Sequence, residues 1–354
     1  MKAFKIILVI FVVLLLAVAA LAFKTFRDAG EFKTIKPHFK GEASLVPGVL
    51  SSEDITIDPR TGMAFISSDD RRPWFHGGKG QAGAIYGYNL ASASPRLVNL
   101  TRDFGKDFHP HGIGLYIAEN GRSSLFVVNH RKEGQFVEIF DFNGKKLSHR
   151  VSVSGDLMSS PNDVLPVAPG KFYVTNDHGN HSKFGKMVED YLQLARAYVL
   201  YYDGKHFRKV AQGLKYANGI NMSADGKTVY VASTTGHSIS FYTREPVSGS
   251  LIFRRAINLG TGPDNIEVDE KGRLWIGAHP KLLTFVKYAK NPGHRSPSQV
   301  LQITLRPGGD DLVKEVYLNN GDPLSGSSVA AFFHHTILIG SVFDPHFLVC
   351  KTED

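Results

Sequence analysis

The chain has 354 residues, of which 42% are hydrophobic and 21% are charged, a composition typical of one large or two ordinary globular domains. Its formal net charge is +8, but the Lys and Arg residues are scattered and form no basic run interleaved with aromatic residues. Nucleic acid is therefore a poor candidate partner, and we expect none. The single cysteine, Cys350, leaves no internal disulfide and no cysteine-rich metal site.

An unbroken apolar run near the N-terminus, residues 6–23, is just long enough to span a bilayer. It also fits a signal peptide with a small-residue cleavage site at Ala20-Leu21-Ala22, although it is long for one. We expect residues 1–30 to be a signal peptide or an N-terminal membrane anchor and residues 31–354 to form the folded domain. The protein is then exported, either membrane-anchored or secreted or periplasmic, and a membrane or lipid surface is the expected partner of the N-terminus.

Six segments of the chain share one pattern, in which a polar pair precedes an apolar alternating run, a turn and a second apolar run. Further strand-like runs lie between them, such as GAIYGYNL, VEIFDFNG and LLTFVKYA, so that each unit holds about four strands. Such units are typical of a β-propeller blade, and six of them predict six blades around a central channel. A β-sandwich or two small β domains is the alternative. The six segments begin near residues 51, 109, 160, 216, 263 and 326.

One stretch departs from the strand pattern. The apolar residues of SKFGKMVEDYLQLARA, residues 182–197, have helical spacing and predict an insertion over one face of the propeller. The expected fold is therefore all-β, a six-bladed β-propeller with an N-terminal hydrophobic helix and a helical lid insertion.

The repeat supplies a register, because the first apolar residue of each inner strand can serve as a reference. In a propeller the first strand of each blade lines the channel, so equivalent positions become rings around one axis. The reference residues are Ile55, Ile113, Val164, Ile220, Ile266 and Val329. Two places before them stand Glu53, His111, Asn162, Asn218, Asp264 and Ser327. One place before them stand Asp54, Gly112, Asp163, Gly219, Asn265 and Ser328.

These rings are rich in carboxylate and amide oxygens and contain no sulfur. A loose set of about five to seven oxygen ligands suits Ca²⁺ better than Mg²⁺, which prefers stricter octahedral geometry. Asp and Asn also begin strands merely because they form good turns, but four matched repeats with such pairs favour a metal site. Asp54 and Asp163 are candidate ligands of a second ion. The candidate ligands of the first ion are Glu53, Asn162, Asn218, Asp264 and Asn265.

The histidines are the second chemical signal. His111 shares a column with the candidate metal ligands, whereas His130, His178 and His279 each follow at the end of the next strand of their repeat. A histidine beside a bound cation can act as a general base. The sequence contains no G-x-S-x-G, H-E-x-x-H, P-loop or C-x-x-C motif. Hydrolysis would therefore use water activated by histidine and metal.

Seven ordered segments, including PNDVLPVAPGKFYVTNDH, YANGINMSADGKTVYVA and PDNIEVDEKGRLWIGAHP, resemble those of the paraoxonase (serum paraoxonase/arylesterase) family over residues 37–353. The resemblance implies a six-bladed propeller that hydrolyses lactones and aryl esters, with organophosphates as lesser substrates. It also implies two calcium ions in the channel, one catalytic and one structural, and a hydrophobic N-terminus that anchors several members to lipid.

Carried over residue by residue, the resemblance assigns roles to individual positions, most of which the register or the histidine pattern had also indicated. His111 and His130 form the catalytic dyad, and Tyr216 and His279 belong to the wall of the substrate pocket. The structural ion takes Asp54, Asp163 and the backbone carbonyl of Ile113. The catalytic ion takes Glu53, Asn162, Asn218, Asp264 and Asn265.

The sequence also departs from the family pattern. The family closes its propeller with a disulfide, and Cys350 fits the second cysteine, but residues 37–50 contain no partner, so closure must rely on strand pairing. The loop SSDDRRPWFHGGKG is highly charged where a more apolar lid is expected.

We therefore predict a calcium-dependent carboxylic ester hydrolase, a lactonase or arylesterase in which His111, assisted by His130, deprotonates the attacking water. Calcium would bind the carbonyl oxygen and stabilise the developing negative charge. A carboxylate of the metal site is an alternative nucleophile. The alternative functions are a gluconolactonase-like or strictosidine-synthase-like propeller and a non-catalytic calcium-stabilised propeller that binds a ligand.

Overall fold

The computed structural model describes residues 2–75, 77–78, 80–105 and 107–353, most of which lie in antiparallel β-sheet. Helix α1 (Lys2–Asp28) has no buried residue, and its length and apolar composition would allow it to cross a membrane. Two strands, β1 (His38–Phe39) and β2 (Gly41–Pro47), follow it. They do not form a sheet of their own, because each joins a sheet built from the end of the chain.

Six sheets follow one another, and within each the consecutive strands pair antiparallel from the channel outward. The first sheet contains β3 (Ser52–Asp58), β4 (Met63–Ser68), β5 (Ala84–Asn89) and β6 (Leu97–Asn99). The second sheet contains β7 (Pro110–Ile117), β8 (Ser123–Arg131), β9 (Gly134–Phe142) and β10 (Leu147–Val153). The third sheet contains β11 (Pro161–Ala168), β12 (Lys171–Asn176), β13 (Ala197–Tyr202) and β14 (Phe207–Leu214). The fourth sheet contains β15 (Ala217–Met222), β16 (Thr228–Ser233), β17 (Ser238–Arg244) and β18 (Leu251–Asn258). The fifth sheet contains β19 (Gly262–Val268), β20 (Leu274–His279), β21 (Ser298–Thr304) and β22 (Leu312–Asn319). The sixth sheet contains β23 (Ser327–Phe333), β24 (Thr336–Ser341) and β25 (His346–Thr352). Three helices interrupt them: α2 (Arg72–Phe75), α3 (Lys183–Leu192) and α4 (Leu282–Lys290).

The inner strands β3, β7, β11, β15, β19 and β23 each contact the inner strands of both neighbouring blades, which closes the ring. The last blade is completed by β2, which pairs with β25 from Gly41 opposite Thr352 to Pro47 opposite His346. Ala43 stands opposite Cys350, whose thiol is buried and free. The chain is thus a six-bladed β-propeller, as predicted, and it closes by strand pairing in the absence of the family disulfide.

The hydrophobic core is divided into six wedges, each packed between two adjacent blades. The wedge between the first and last blades contains Ile55, Ile66, Val329 and Leu338, all fully buried. Alternation in the inner strands places such apolar residues between blades, and each fully buried side chain contributes about 1.5–3 kcal/mol. The core therefore fixes the blades around the channel without filling it.

All six inner strands carry a β-bulge just before their reference residue, where the pairing with the second strand shifts register. A bulge releases residues from the ladder and re-aims their side chains. In a regular strand two consecutive side chains would face opposite sides, so the bulge explains how both residues of a polar pair can belong to the channel. In five blades the released pairs are Glu53-Asp54, His111-Gly112, Asn162-Asp163, Asn218-Gly219 and Asp264-Asn265.

Two predictions about local structure need correction. The run LLTFVKYA is helix α4, not a strand, because Phe285, Tyr288 and Ala289 recur at helical spacing and pack on Phe343; β21 takes the expected strand position. The predicted helical insertion at 182–197 is present but shorter. Ser182 caps its N-terminus, and it ends at Leu192, before a residue with positive φ.

Candidate metal and catalytic site

The bulged residues of four blades converge at one end of the channel, which we call the front end. Five of them form the front ring, and each is at most 4% exposed. Asn265 donates through Nδ2 to the carbonyl and to Oε1 of Glu53, 3.1 Å in each case, so the fifth blade contacts the first across the sixth. The front ring consists of Glu53, Asn162, Asn218, Asp264 and Asn265.

Four oxygens of the front ring have no hydrogen-bond partner among the described residues, although they are buried. They are Oε2 of Glu53 and the Oδ1 atoms of Asn162, Asn218 and Asn265. An unpaired buried polar oxygen costs roughly 1–3 kcal/mol, and native proteins rarely tolerate several together without a ligand. Such a set of oxygens fits a hard cation.

The amide groups of the ring are oriented by their nitrogen atoms. Nδ2 of Asn218 donates to Oγ1 of Thr234 at 3.0 Å, and Nδ2 of Asn162 lies 3.4 Å from Oδ2 of Asp177. Because each nitrogen is engaged by the protein, the unpaired Oδ1 atom is the part of the amide left for a ligand. This arrangement is more specific than the turn chemistry that also explains Asn at a strand start.

Deeper in the channel, Asp54 and Asp163 form a second acidic pair. Each carboxylate accepts two backbone N–H groups: Asp54 from Ile55 and Ile113 at 2.9 and 2.7 Å, and Asp163 from Val164 and Ile220, both at 2.7 Å. Ile113 contacts Asp54 through its backbone N–H, whereas the backbone carbonyl of Ile113 is the predicted ligand of the structural ion.

Burial raises the pKa of both Asp54 and Asp163 well above the usual range, and neighbouring carboxylates raise it further. For Glu53, burial opposes ionisation, but the charges of His111 and then Arg71 lower its pKa to about 2. Buried carboxylates at this density are costly unless a cation compensates them. No three His, Cys, Asp or Glu residues form a metal-binding cluster within the described residues, because amides supply much of the front ring.

His111 and His130 lie at the edge of the front ring and contact each other. Nδ1 of His111 is 2.8 Å from Nε2 of His130, and Nε2 of His111 is 3.5 Å from Oε1 of Glu53. Nδ1 of His130 is hydrogen-bonded to Oε1 of Gln135. Burial and the charge of His111 lower the pKa of His130 to about 3, so this ring is neutral. The structure therefore brings the predicted dyad together beside a candidate metal ligand.

The other predicted histidines have different surroundings. His279 is 2% exposed, lies 2.8 Å from Oδ2 of Asp264 through Nε2 and stacks on Phe285 at 3.9 Å, so it supports a ring carboxylate. Tyr216 is partly buried, has positive φ and packs edge-on against His178 at 5.0 Å.

His178 joins the site to helix α3. Its two ring nitrogens lie 2.6 Å from Asp177 and 3.0 Å from Asp190 of that helix. Burial alone would lower the pKa of His178, but these two carboxylates raise it to about 9. Helix α3 is therefore tied to the site by a charged histidine between two acids.

Sequence reasoning missed two residues of the site. Gln135 lies directly opposite His130 in the β8–β9 hairpin, and the glycine turn between them was the signal that could have found it. Arg71 comes from the charged loop, and no local pattern indicated that its side chain turns inward. It is 12% exposed, donates to the Pro110 carbonyl at 2.7 Å and lies 4.0 Å from Oε2 of Glu53.

The rest of the charged loop docks on helix α4. Arg72 donates to the carbonyl of Tyr288 at 2.6 Å, and its guanidinium lies 4.6 Å from the Tyr288 ring centre and 5.0 Å from that of Phe343. His76 and Lys79 of this loop lie outside the described residues. Arg72 therefore anchors the described part of the charged loop on α4.

The chain matches the family model described as Arylesterase over residues 35–351. It is 37% identical to serum paraoxonase/arylesterase 2 of Rattus norvegicus over 307 residues, which are 84% of this chain and 86% of that relative. It is 36% identical to serum paraoxonase/arylesterase 1 of Homo sapiens over 321 residues, 88% of this chain and 89% of that relative. Serum paraoxonase/lactonase 3 of Homo sapiens is 36% identical over 299 residues, 82% of this chain and 83% of that relative.

Solved structures with the same fold are more distant in sequence. A luciferin-regenerating enzyme has a TM-score of 0.56 at 12% identity and covers 88% of this chain and 96% of its own. Regucalcin of Agrobacterium tumefaciens has a TM-score of 0.52 at 15% identity (90% and 98%). A gluconolactonase of Xanthomonas campestris has a TM-score of 0.51 at 16% identity (90% and 99%). At these identities the likeness concerns the fold alone.

Proposed function

The chain belongs to the arylesterase family, and we propose on this basis that it is a calcium-dependent hydrolase of lactones and aryl esters. Relatives named arylesterase, paraoxonase and lactonase are carboxylic ester hydrolases of the EC 3.1.1 type, and the chain is an enzyme of this class. A gluconolactonase-like activity has only the shared fold in its favour.

The observation that carries the proposal is the juxtaposition of four unpaired buried oxygens with a histidine dyad. The front ring would hold a catalytic calcium, and Asp54 and Asp163, with the carbonyl of Ile113, would hold a structural one. Calcium accepts a mixed set of carboxylate and amide oxygens, which is the donor chemistry of this ring. Two carboxylates of the ring would match the charge of one divalent ion.

The hydrogen bonds of the dyad assign the proton positions. If neutral His130 donates from Nδ1 to Gln135, its Nε2 must accept, so Nδ1 of His111 donates and Nε2 of His111 carries the free lone pair. Nε2 of His111 is then the base that takes a proton from the attacking water, and His130 holds the ring in this tautomer. Bound calcium supplies positive charge that favours the ester carbonyl as it becomes negative.

Purified full-length protein should hydrolyse a lactone and phenyl acetate, and a chelator should abolish both activities. Asn218→Ala should weaken calcium binding by about 10- to 100-fold, because it removes one ligand oxygen. His111→Gln should lower turnover strongly while calcium binding, followed by titration calorimetry, is preserved. A folded protein that binds calcium and hydrolyses neither substrate would refute the proposed activity, and unchanged turnover in the His111 variant would favour a carboxylate nucleophile.

We also propose that the N-terminus attaches the enzyme to a lipid surface at the front end. The C-terminal end of α1 contacts the end of α3, with Nζ of Lys24 3.2 Å from Oε1 of Gln193. Helix α3 exposes Phe184 by 71% and Met187 by 46%, and α1 exposes its apolar side chains as well. Phe184→Ser should reduce co-flotation with phosphatidylcholine vesicles, and full retention would argue against a role for α3.

A further inference from the structure

The channel has a second opening at its rear end, where the inner strands finish in turns. A cavity of about 580 Å³ lies there, and its rim includes Pro59, Ser223 and Glu270. This volume is within the range of pockets that hold small organic ligands, about 300–1,000 Å³. The proposed catalysis uses only the front end, so this cavity has no role in it.

A carboxylate lies inside the rear cavity. Glu267 follows the reference residue Ile266 and is two residues further into the channel than Asp269, which lies near the turn. Alternation along the strand puts Glu267 on the same side as Asn265, about 7 Å along the channel. Thr56 and Asn221 occupy the equivalent position in their own blades, which makes one polar layer at the inner end of the cavity.

Glu267 has only neutral partners. Its Oε2 accepts a hydrogen bond from Oγ1 of Thr56 at 3.2 Å, and its Oε1 lies 3.5 Å from Nδ2 of Asn221. No Lys, Arg or His of the described residues forms an ion pair with it. Arg273, which also lines the cavity, is paired with Asp269 at 2.6 Å. A carboxylate in this position gains from any cation that enters the cavity.

The residues nearest the inner end of the cavity are largely apolar and include Leu115, Leu165, Met222 and Phe332, whereas the other charged residues of its lining, Asp269, Glu270, Lys271 and Arg273, belong to the turn between β19 and β20. A metal ion such as calcium needs about six to eight oxygens, and this layer offers one carboxylate and one hydroxyl. The side-chain oxygen of Asn221, Oδ1, already accepts the backbone N–H of Met222 at 2.9 Å. One acid at the apolar inner end of the cavity matches one cationic group on an apolar body.

We propose that the rear cavity is a second binding site, separate from the esterase site, for a small organic ammonium compound whose charged group pairs with Glu267. The apolar body of the ligand packs on Leu165, Met222 and Phe332, and the polar layer orients the ammonium group. Since catalysis is assigned to the front end, the site does not depend on the proposed function.

The test measures binding to the detergent-solubilised full-length protein by calorimetry, with saturating calcium. Three probes of similar size are compared: benzyltrimethylammonium, benzyl alcohol and benzoate. Wild type should bind the ammonium at least about tenfold more tightly than the alcohol, with benzoate weakest. Equal affinities for the three probes would overturn the proposal without any variant being needed.

Two variants with the same change of net charge locate the site. Glu267→Gln should bring the ammonium and the alcohol within about twofold of each other, whereas Glu270→Gln, at the exposed rim, should keep the preference. A preference that survives in Glu267→Gln would overturn the proposal. So would displacement of the ammonium from wild type when the calcium concentration is raised further above the level that saturates the front ring, since that result would make Glu267 a metal ligand.

Discussion

Nδ1 of His111 lies 2.8 Å from Nε2 of His130, and this contact together with the Gln135 hydrogen bond selects one tautomer for both rings. Gln135→Leu removes the acceptor that fixes His130, and we expect kcat to fall about 10- to 100-fold while KM and calcium affinity change little. Gln135→Glu retains an acceptor at this place and should recover much of the lost kcat. Equal losses in both variants would show that Gln135 acts only through packing.

The His178 cluster predicts a pH-dependent stability. The pKa of His178 is about 9, above the ordinary value of 6.5. The stabilisation that charged His178 gives to the folded protein is therefore complete below pH 6.5 and is lost as the pH rises through 9. Asp177, Asp190, Tyr216 and Lys186 are the titratable groups around it. Asp190 is 40% exposed, so solvent screens its ion pair with His178. We therefore expect the free energy of unfolding to fall by only roughly 2 kcal/mol between these pH values.

Thermal unfolding of wild type and His178→Gln from pH 6 to pH 9.5, at saturating calcium, checks this prediction. The variant should be less stable than wild type at low pH, and the difference should shrink as the pH rises. The exposed His294, changed to Gln, serves as the control and should follow wild type. Parallel curves for His178→Gln and wild type would contradict the assignment.

The adjacent arginines of the charged loop should have separable roles. Arg71 lies 4.0 Å from Glu53, and its buried Nε has no partner among the described residues, so it can attract an anionic group on the substrate. Arg71→Gln should lower kcat/KM for a carboxylate-bearing aryl ester about tenfold more than for phenyl acetate. Arg72→Gln, which weakens the docking of the loop on α4, should affect both substrates alike. Identical ratios in the two variants would remove Arg71 as a determinant of specificity.

The strand pair that closes the propeller indicates where the disulfide partner of Cys350 would lie. Ala43 faces Cys350 across β2 and β25, so Ala43→Cys should form a disulfide that joins the two ends of the propeller. A cross-link of this kind typically adds about 2–4 kcal/mol of stability. We expect a higher Tm that returns to the wild-type value in reductant, together with loss of the free thiol. A free thiol count of two in the oxidised variant would contradict the predicted pairing.

Much of the architecture could be predicted because it depends on short-range patterns. The six polar pairs, the alternating runs after them and the helical spacing of 182–197 specified six blades and an insertion. LLTFVKYA was misassigned because a short apolar run is ambiguous between strand and helix until its neighbours are known. Phe343, far along the chain, completes the packing that makes it a helix.

The residue types on the inner strands, and therefore the oxygens that a cation could meet, follow from the sequence alone. The contact of Asn265 with Glu53, the orientation of His130 by Gln135 and the inward turn of Arg71 follow only from the folded structure. Local patterns record alternation and turns, whereas these contacts depend on the bulges that break alternation and on closure of the ring. Residues more than two hundred positions apart became neighbours there because six wedges of core hold the blades around one axis.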